Sequence, residues 1–154
     1  KRGEWSDASK SFQKCIELDP NLFSAYLPLA NSMILNKRFI KARDLLLELS
    51  ELDPASMNEE FFSLMGKTYL GALELRMAKD NFNEALKVNN SYSDAYYGLA
   101  ACSIKEGNIS EALLLMEKAF MNGEYEWKEI RDDEFIASIK SDKKFRELVN
   151  KYLK

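Results

Sequence analysis

The chain has 154 residues, of which 46% are hydrophobic and 31% charged, enough for one domain with a real core and too apolar for a disordered chain. A net charge of -3 argues against non-specific nucleic-acid binding, which needs a surplus of Lys and Arg facing phosphate, and no apolar run reaches the roughly 18 residues of a membrane span. Histidine is absent, which removes the commonest general base and the commonest metal ligand together.

Few glycines and prolines are present, 6 and 3, which favours helices over turn-rich β structure. Cys15 and Cys102 read as two small buried thiols too far apart to bridge. No phosphate-binding glycine loop, no nucleophile beside a base and no metal-ligand set is found, so no catalytic residue, cofactor or metal is expected.

Residues 1–20 read as the second half of a helix pair. Gly3 suits a turn, and Trp5, Ala8, Phe12, Cys15 and Ile16 then recur at helical spacing. Leu18-Asp19-Pro20 closes that helix. Its apolar face calls for a covering partner over Phe12 and Ile16, either upstream chain or a second molecule.

Residues 21–54 form a complete unit that ends, like the previous one, in Leu-Asp-Pro. Pro20 and Pro54 stand 34 residues apart, the length of one helix-turn-helix repeat. Asn21 is a candidate N-cap. The first helix presents Tyr26, Leu29, Ala30 and Met33, and the second Phe39, Ala42, Leu46 and Leu49. Pro28 falls about two turns into the first helix, where it is expected to remove a hydrogen bond and bend it.

A second unit spans 59–92 after a lengthened link. Phe62, Met65, Gly66 and Tyr69 face one way on its first helix, and Ala78, Phe82 and Ala85 on its second. No Gly marks the intervening turn, which Leu73 and Glu74 occupy; the alternative is one long helix over 60–88. The third unit, 93–124, is clearer. Tyr96, Leu99, Ala100 and Ser103 precede a stop at Glu106-Gly107-Asn108, and Ile109, Ala112, Met116 and Ala119 follow it. Residues 125–154 leave the pattern. Tyr125, Trp127 and Ile130 suggest one short helix, and Phe135, Ile136 and Ile139 another. Ser141 or Asp142 then caps a final helix with Phe145, Leu148, Val149, Tyr152 and Leu153 on one stripe. This tail reads as the terminal cap a solenoid needs.

Three motifs in register carry a family resemblance. They are Tyr26-x2-Leu29-Ala30-x2-Met33 with Ala42 and Pro54; Phe62-x2-Met65-Gly66-x2-Tyr69 with Ala78-x3-Phe82; and Tyr96-x2-Leu99-Ala100-x2-Ser103 with Ala112-x3-Met116. Ala8-x3-Phe12 and Pro20 add a half-unit. Over residues 1 to 124 the chain resembles the tetratricopeptide repeat (TPR) family, and its acid-aromatic tail is similar to the C-terminal ends of many bacterial members. The resemblance implies one all-α domain over 1–154. It would be a right-handed superhelical solenoid of antiparallel helix pairs, about three and a half repeats with a C-terminal helical cap.

The resemblance also implies a role as a scaffold that binds a peptide or protein segment in a concave groove lined by the first helix of each pair. The groove positions lie one residue beyond the packing face. They are Leu27, Asn31, Ile34 and Leu35; Ser63, Lys67, Leu70 and Gly71; and Tyr97, Ala101, Ile104 and Lys105. One subclass of the family clamps a C-terminal carboxylate with a Lys and an Asn four residues apart. Asn31 stands where that Asn would, but Leu27 replaces the Lys, which disfavours such a clamp. From Asp44 to Gly66 the acids Asp44, Glu48, Glu51, Asp53, Glu59 and Glu60 occur without a basic residue, a solvated face in preference to a docking patch for a basic partner. The alternative to a scaffold is an oligomerisation or regulatory module of a larger protein, self-associating through the open N-terminal half-unit. An enzyme is the least supported reading.

Overall fold

The computed structural model describes residues 2–153, with side chains from Ser9 onward. Among the described residues the regular structure is entirely helical. The helices are α1 (Arg2–Leu18), α2 (Tyr26–Leu35), α3 (Phe39–Leu52), α4 (Glu59–Gly71), α5 (Leu75–Val88), α6 (Ser93–Lys105), α7 (Ile109–Asn122), α8 (Trp127–Ile130), α9 (Glu134–Ile139) and α10 (Lys143–Tyr152). Short turns fold α2 onto α3, α4 onto α5 and α6 onto α7. The first helices of the pairs also pack on one another in the order α2, α4, α6, and α9 extends that row beside α6. Meanwhile α10 packs on α7 in the second row. The result is a stack of helix hairpins in which each layer covers the apolar face of the one before.

The three turns inside the hairpins use one device. Lys37, Leu73 and Gly107 all adopt positive φ, at 58°, 61° and 81°. Each donates its N–H back to the carbonyl three residues earlier, and the next residue reaches the carbonyl five back, as in Leu73 to Leu70 at 3.0 Å and Glu74 to Tyr69 at 2.9 Å. These are Schellman closures, which satisfy the orphan carbonyls of the ending helix. Gly107 takes the left-handed conformation at no cost. Leu73 takes it without the glycine that would have announced it, so α4 stops at Gly71 and the long helix over 60–88 does not form.

Pro28 does not bend a helix. A 3₁₀ turn at Phe23–Ala25 precedes α2, which begins at Tyr26, so Pro28 lies in the first helical turn. Its missing N–H there is one of the donors that would have no partner anyway. Asn21 does not cap α2; its own N–H donates to the Asp19 carboxylate at 3.0 Å in a local turn. Some later helices carry conventional caps. Asn58 accepts from the Phe61 N–H at 2.9 Å, and Asp142, not Ser141, accepts from the Phe145 N–H at 3.0 Å.

The repeat motifs fill the interior. Ala42, Leu46, Leu49, Ala78, Phe82, Ala85, Ala112, Met116 and Ala119 are fully buried along the second helices. Phe82 wedges between the first helices of adjacent hairpins. A methyl added to Gly66 would stand 2.6 Å from its ring, and one added to Gly98 would stand 2.3 Å from it. The small residues are therefore what lets α4 and α6 approach with an aromatic ring between them. Gly98 had no motif to mark it. The tyrosines that open the first and third repeats share a second role. The Tyr26 hydroxyl donates to the Pro20 carbonyl at 3.0 Å and the Tyr96 hydroxyl to the Asn90 carbonyl at 2.9 Å, tying each hairpin to the end of the preceding one. Phe62 at the same place has no hydroxyl, and it is Phe61 that is buried there.

The turn expected at Gly3 is absent, since α1 runs through it. The packing expected of Trp5 and Ala8 lies outside the described side chains. Phe12, Cys15 and Ile16 are half-buried, with Ile16 against the cluster around Tyr26 and Ala30. Cys102 is buried and Cys15 only half-buried, and both are free thiols.

Candidate functional site

The row α2, α4, α6 presents one continuous face, and the tail shows that the face is curved. Helix α9 packs on α6. Yet Glu134 at its first position accepts a bond from the Lys37 ammonium at 2.8 Å, in the turn after α2. A side chain rooted beside α6 reaches across α4 only if the row bends toward it. The row therefore forms a concave groove, and α9 enters it.

The sequence-derived groove residues divide by position. Leu27, Asn31 and Ile34 on α2 are half-buried and Leu35 is exposed at 55%. Leu27 and Ile34 lean on the core cluster around Tyr26. On α4, Lys67 and Leu70 are half-exposed, and Lys67 donates to the Asp94 carboxylate of α6 at 2.6 Å. Ser63 is a correction: it is buried at 1%, sealed between helices, and its hydroxyl has no hydrogen-bond partner. Gly71 is exposed, and the Phe39 ring of α3 fills the space a side chain there would take. On α6, Lys105 is exposed, but Ala101 is buried at 1% and Ile104 at 8%. Ile104 shares a core cluster with Ile136 and Ile139 of α9. That part of the groove is filled by the chain's own tail.

Tyr97 is the anchor of the filling. Its ring stacks on Tyr125 at 5.4 Å and meets Phe135 edge-on at 5.2 Å. Its hydroxyl donates to the Asp133 carboxylate at 2.7 Å. Burial, and then the neighbouring Asp133 charge, push the Tyr97 phenol far above its ordinary value, so it remains a donor at any working pH. Burial also raises the Asp133 carboxyl, while the Tyr97 hydrogen bond and the Lys67 charge pull it back part of the way. Glu134 is the reverse case. The Lys37 hydrogen bond and charge, with Lys105 nearby, hold its carboxyl below the ordinary value. Tyr125 is pushed up to about 12, chiefly by burial, beside Ser93 and Asp94.

Three ammonium groups thus border the groove, one per hairpin: Lys37, Lys67 and Lys105. Lys67 and Lys105 stand at positions that helical spacing assigns to the groove; Lys37, Asp133, Glu134 and Phe135 stand outside that pattern. The Asp132-Asp133-Glu134-Phe135 run is the signal that marks the tail as a complement to the groove. A second cleft of about 400 Å³ lies between α7 and α10, lined by Leu113, Leu114, Glu117, Leu148 and Lys151 among others. Its charges are internally matched, with Glu117 accepting from Lys151 at 3.0 Å and from the Tyr152 hydroxyl at 2.9 Å. Burial pushes the Cys102 thiol up to about 11, so it is a packing residue at neutral pH and no activated nucleophile. No described helix is long and apolar enough to cross a membrane.

No family model matches the chain, and no curated protein matches it. Solved structures do. A crystal structure of MamA aligns at 24% identity with a TM-score of 0.64, over 97% of this chain and 85% of that one. MamA 41-end from Desulfovibrio magneticus RS-1 aligns at 18% identity with a TM-score of 0.65, over 85% and 70% of the two chains. YrrB, described as a TPR protein with an unusual peptide-binding site, aligns at 19% identity with a TM-score of 0.57, over 97% and 77%. Identity at this level shows a shared fold, and the fold is the TPR solenoid.

Proposed function

We propose that this TPR-fold chain is a protein-interaction scaffold whose concave face, built by α2, α4 and α6, holds a segment of another protein. One observation carries the reading: the face already holds a polypeptide segment. Residues 133–135 lie on it through the Tyr97 hydroxyl, the Tyr97 ring and the Lys37 ammonium. The surface not covered by that segment offers the mix that peptide recognition uses. It has half-buried apolar side chains at Leu27, Ile34 and Leu70, an exposed one at Leu35, an amide at Asn31, an exposed cation at Lys105 and a second cation at Lys67 that is bonded to Asp94. The peptide-binding site named for YrrB is consistent with such use of the fold.

The test is a selection of displayed random peptides on the intact chain, followed by measurement of each selected peptide on Asn31→Ala and Lys67→Glu variants. Groove binding predicts that most selected peptides lose at least tenfold in affinity on one variant or both. Selected peptides that bind both variants as well as the parent would sink the groove assignment. Self-association through α1 is the second reading, favoured by Leu18, which stands 78% exposed at the end of that helix. Sedimentation that shows a monomer at high concentration contradicts it.

A further inference from the structure

We infer that the groove recognises an acidic segment with an aromatic residue beside its carboxylates, and that residues 133–135 are a resident competitor for that segment. The inference rests on the proposed groove function and names the chemistry of its ligand. Three observations converge. Each hairpin contributes a cation to the groove, and the tail answers with anions. Lys37 pairs with Glu134 at 2.8 Å; Lys67, whose ammonium is bonded to Asp94 at 2.6 Å, and Lys105 act on Asp133 and Glu134 only through charge at longer range. The aromatic preference comes from Tyr97, whose hydroxyl takes the acid at 2.7 Å while its ring takes Phe135 at 5.2 Å. One tyrosine thus reads an acid and a neighbouring aromatic together.

The polar hold at Glu134 is the part that can be exchanged, while Ile136 and Ile139 stay in the core. The Lys37–Glu134 pair is exposed, with side chains 72% and 75% accessible, so water and salt screen it. Asp133 is held with its carboxyl raised by burial, a sign that its charge is not fully compensated where it sits. A partner segment that also covers Leu27 and Asn31, earlier on α2 than the Lys37 turn that Glu134 contacts, adds contacts to those made at 133–135. Occupancy by the resident lowers apparent affinity by the fraction of molecules in which the groove is open.

The experiment uses two labelled peptides on the full chain, read by fluorescence anisotropy. One copies residues 131–137, and the other replaces its three acids with lysine. Each is titrated against the parent and against an Asp133→Ala/Glu134→Ala variant, in which circular dichroism checks the helix content. The inference expects the acidic peptide to bind the variant at least tenfold more tightly than the parent. It also expects added Lys67→Glu to reverse that gain and the lysine peptide to bind neither. Equal binding of both peptides, or equal affinity for parent and variant, overturns it. If the acidic peptide fails while peptides from the selection still depend on Asn31 and Lys67, the inference falls and the groove reading stands. If no groove-dependent peptide exists, both fall.

Discussion

Replacing Tyr97 by Phe removes one atom from the joint between groove and tail. The ring contacts to Tyr125 and Phe135 survive the change. What is lost is the 2.7 Å hydrogen bond to Asp133. A hydrogen bond to a charged acceptor is worth about 1.5–3 kcal/mol, and the carboxylate left behind is half-buried with Lys67 as its remaining counter-charge. The docking of α9 is therefore expected to weaken by that amount, which is about tenfold to a hundredfold in its opening equilibrium. Hydrogen exchange read by mass spectrometry over residues 127–139 measures that opening directly. Protection there should fall by that factor while the peptides of α2 to α5 keep theirs. Tyr96→Phe is the matched control. Its hydroxyl binds the Asn90 carbonyl at 2.9 Å on an exposed surface, so the cost is about 1 kcal/mol and is not felt in α9. Unchanged exchange over 127–139 in Tyr97→Phe, or equal release by Tyr96→Phe, would refute the assignment of Tyr97 as the anchor.

Asp133 should impose a pH dependence of known sign. Its folded carboxyl is raised above the ordinary 3.8, so the stability it contributes is complete below 3.8 and is lost as pH rises through the raised value. Asp133→Asn keeps an acceptor for Tyr97 and should flatten that part of the α9 stability profile, measured by exchange against pH. Leu73→Gly should raise stability by about 1 kcal/mol in urea unfolding, because a leucine at φ 61° carries a steric cost that glycine lacks. Gly107→Ala, at φ 81°, should lower stability by a similar amount. Gly98→Ala should cost about 1–3 kcal/mol by driving a methyl into the Phe82 ring, now 2.3 Å from where it would stand. Adding Phe82→Leu should recover part of that loss, and strict additivity of the two changes would contradict the contact.

The helix pairs were legible because their signals are local and repeated. Tyr26, Leu29 and Ala30 in one unit, and Ala78, Phe82 and Ala85 in the next, stand at helical spacing and are buried as that spacing implies. The turn at Leu73 was harder, since its left-handed residue lacks the usual glycine and is fixed by its carbonyl partners at Leu70 and Tyr69. Pro28 misled because the sequence does not show where a 3₁₀ turn hands over to an α-helix. Among the groove positions, helical phase does not tell what covers them. Ser63 is buried, and Ile104 shares a core cluster with Ile136 and Ile139. Lys37 was missed for a related reason: it is a turn residue whose partner, Glu134, lies 97 positions away. A contact of that range depends on the curvature of the whole stack, which no local pattern encodes.

If the α2, α4, α6 face takes a protein segment, residues 133–135 must give way to it. Chemical-shift mapping on isotope-labelled chain, with a peptide obtained from the selection, tests it most directly. The account predicts that the amides that move belong to Asn31, Leu35, Lys67, Leu70 and Lys105, and that those of 133–135 move with them at the same peptide concentration. Shifts confined to the outer row, on α3, α5 and α7, with 133–135 undisturbed, would contradict it.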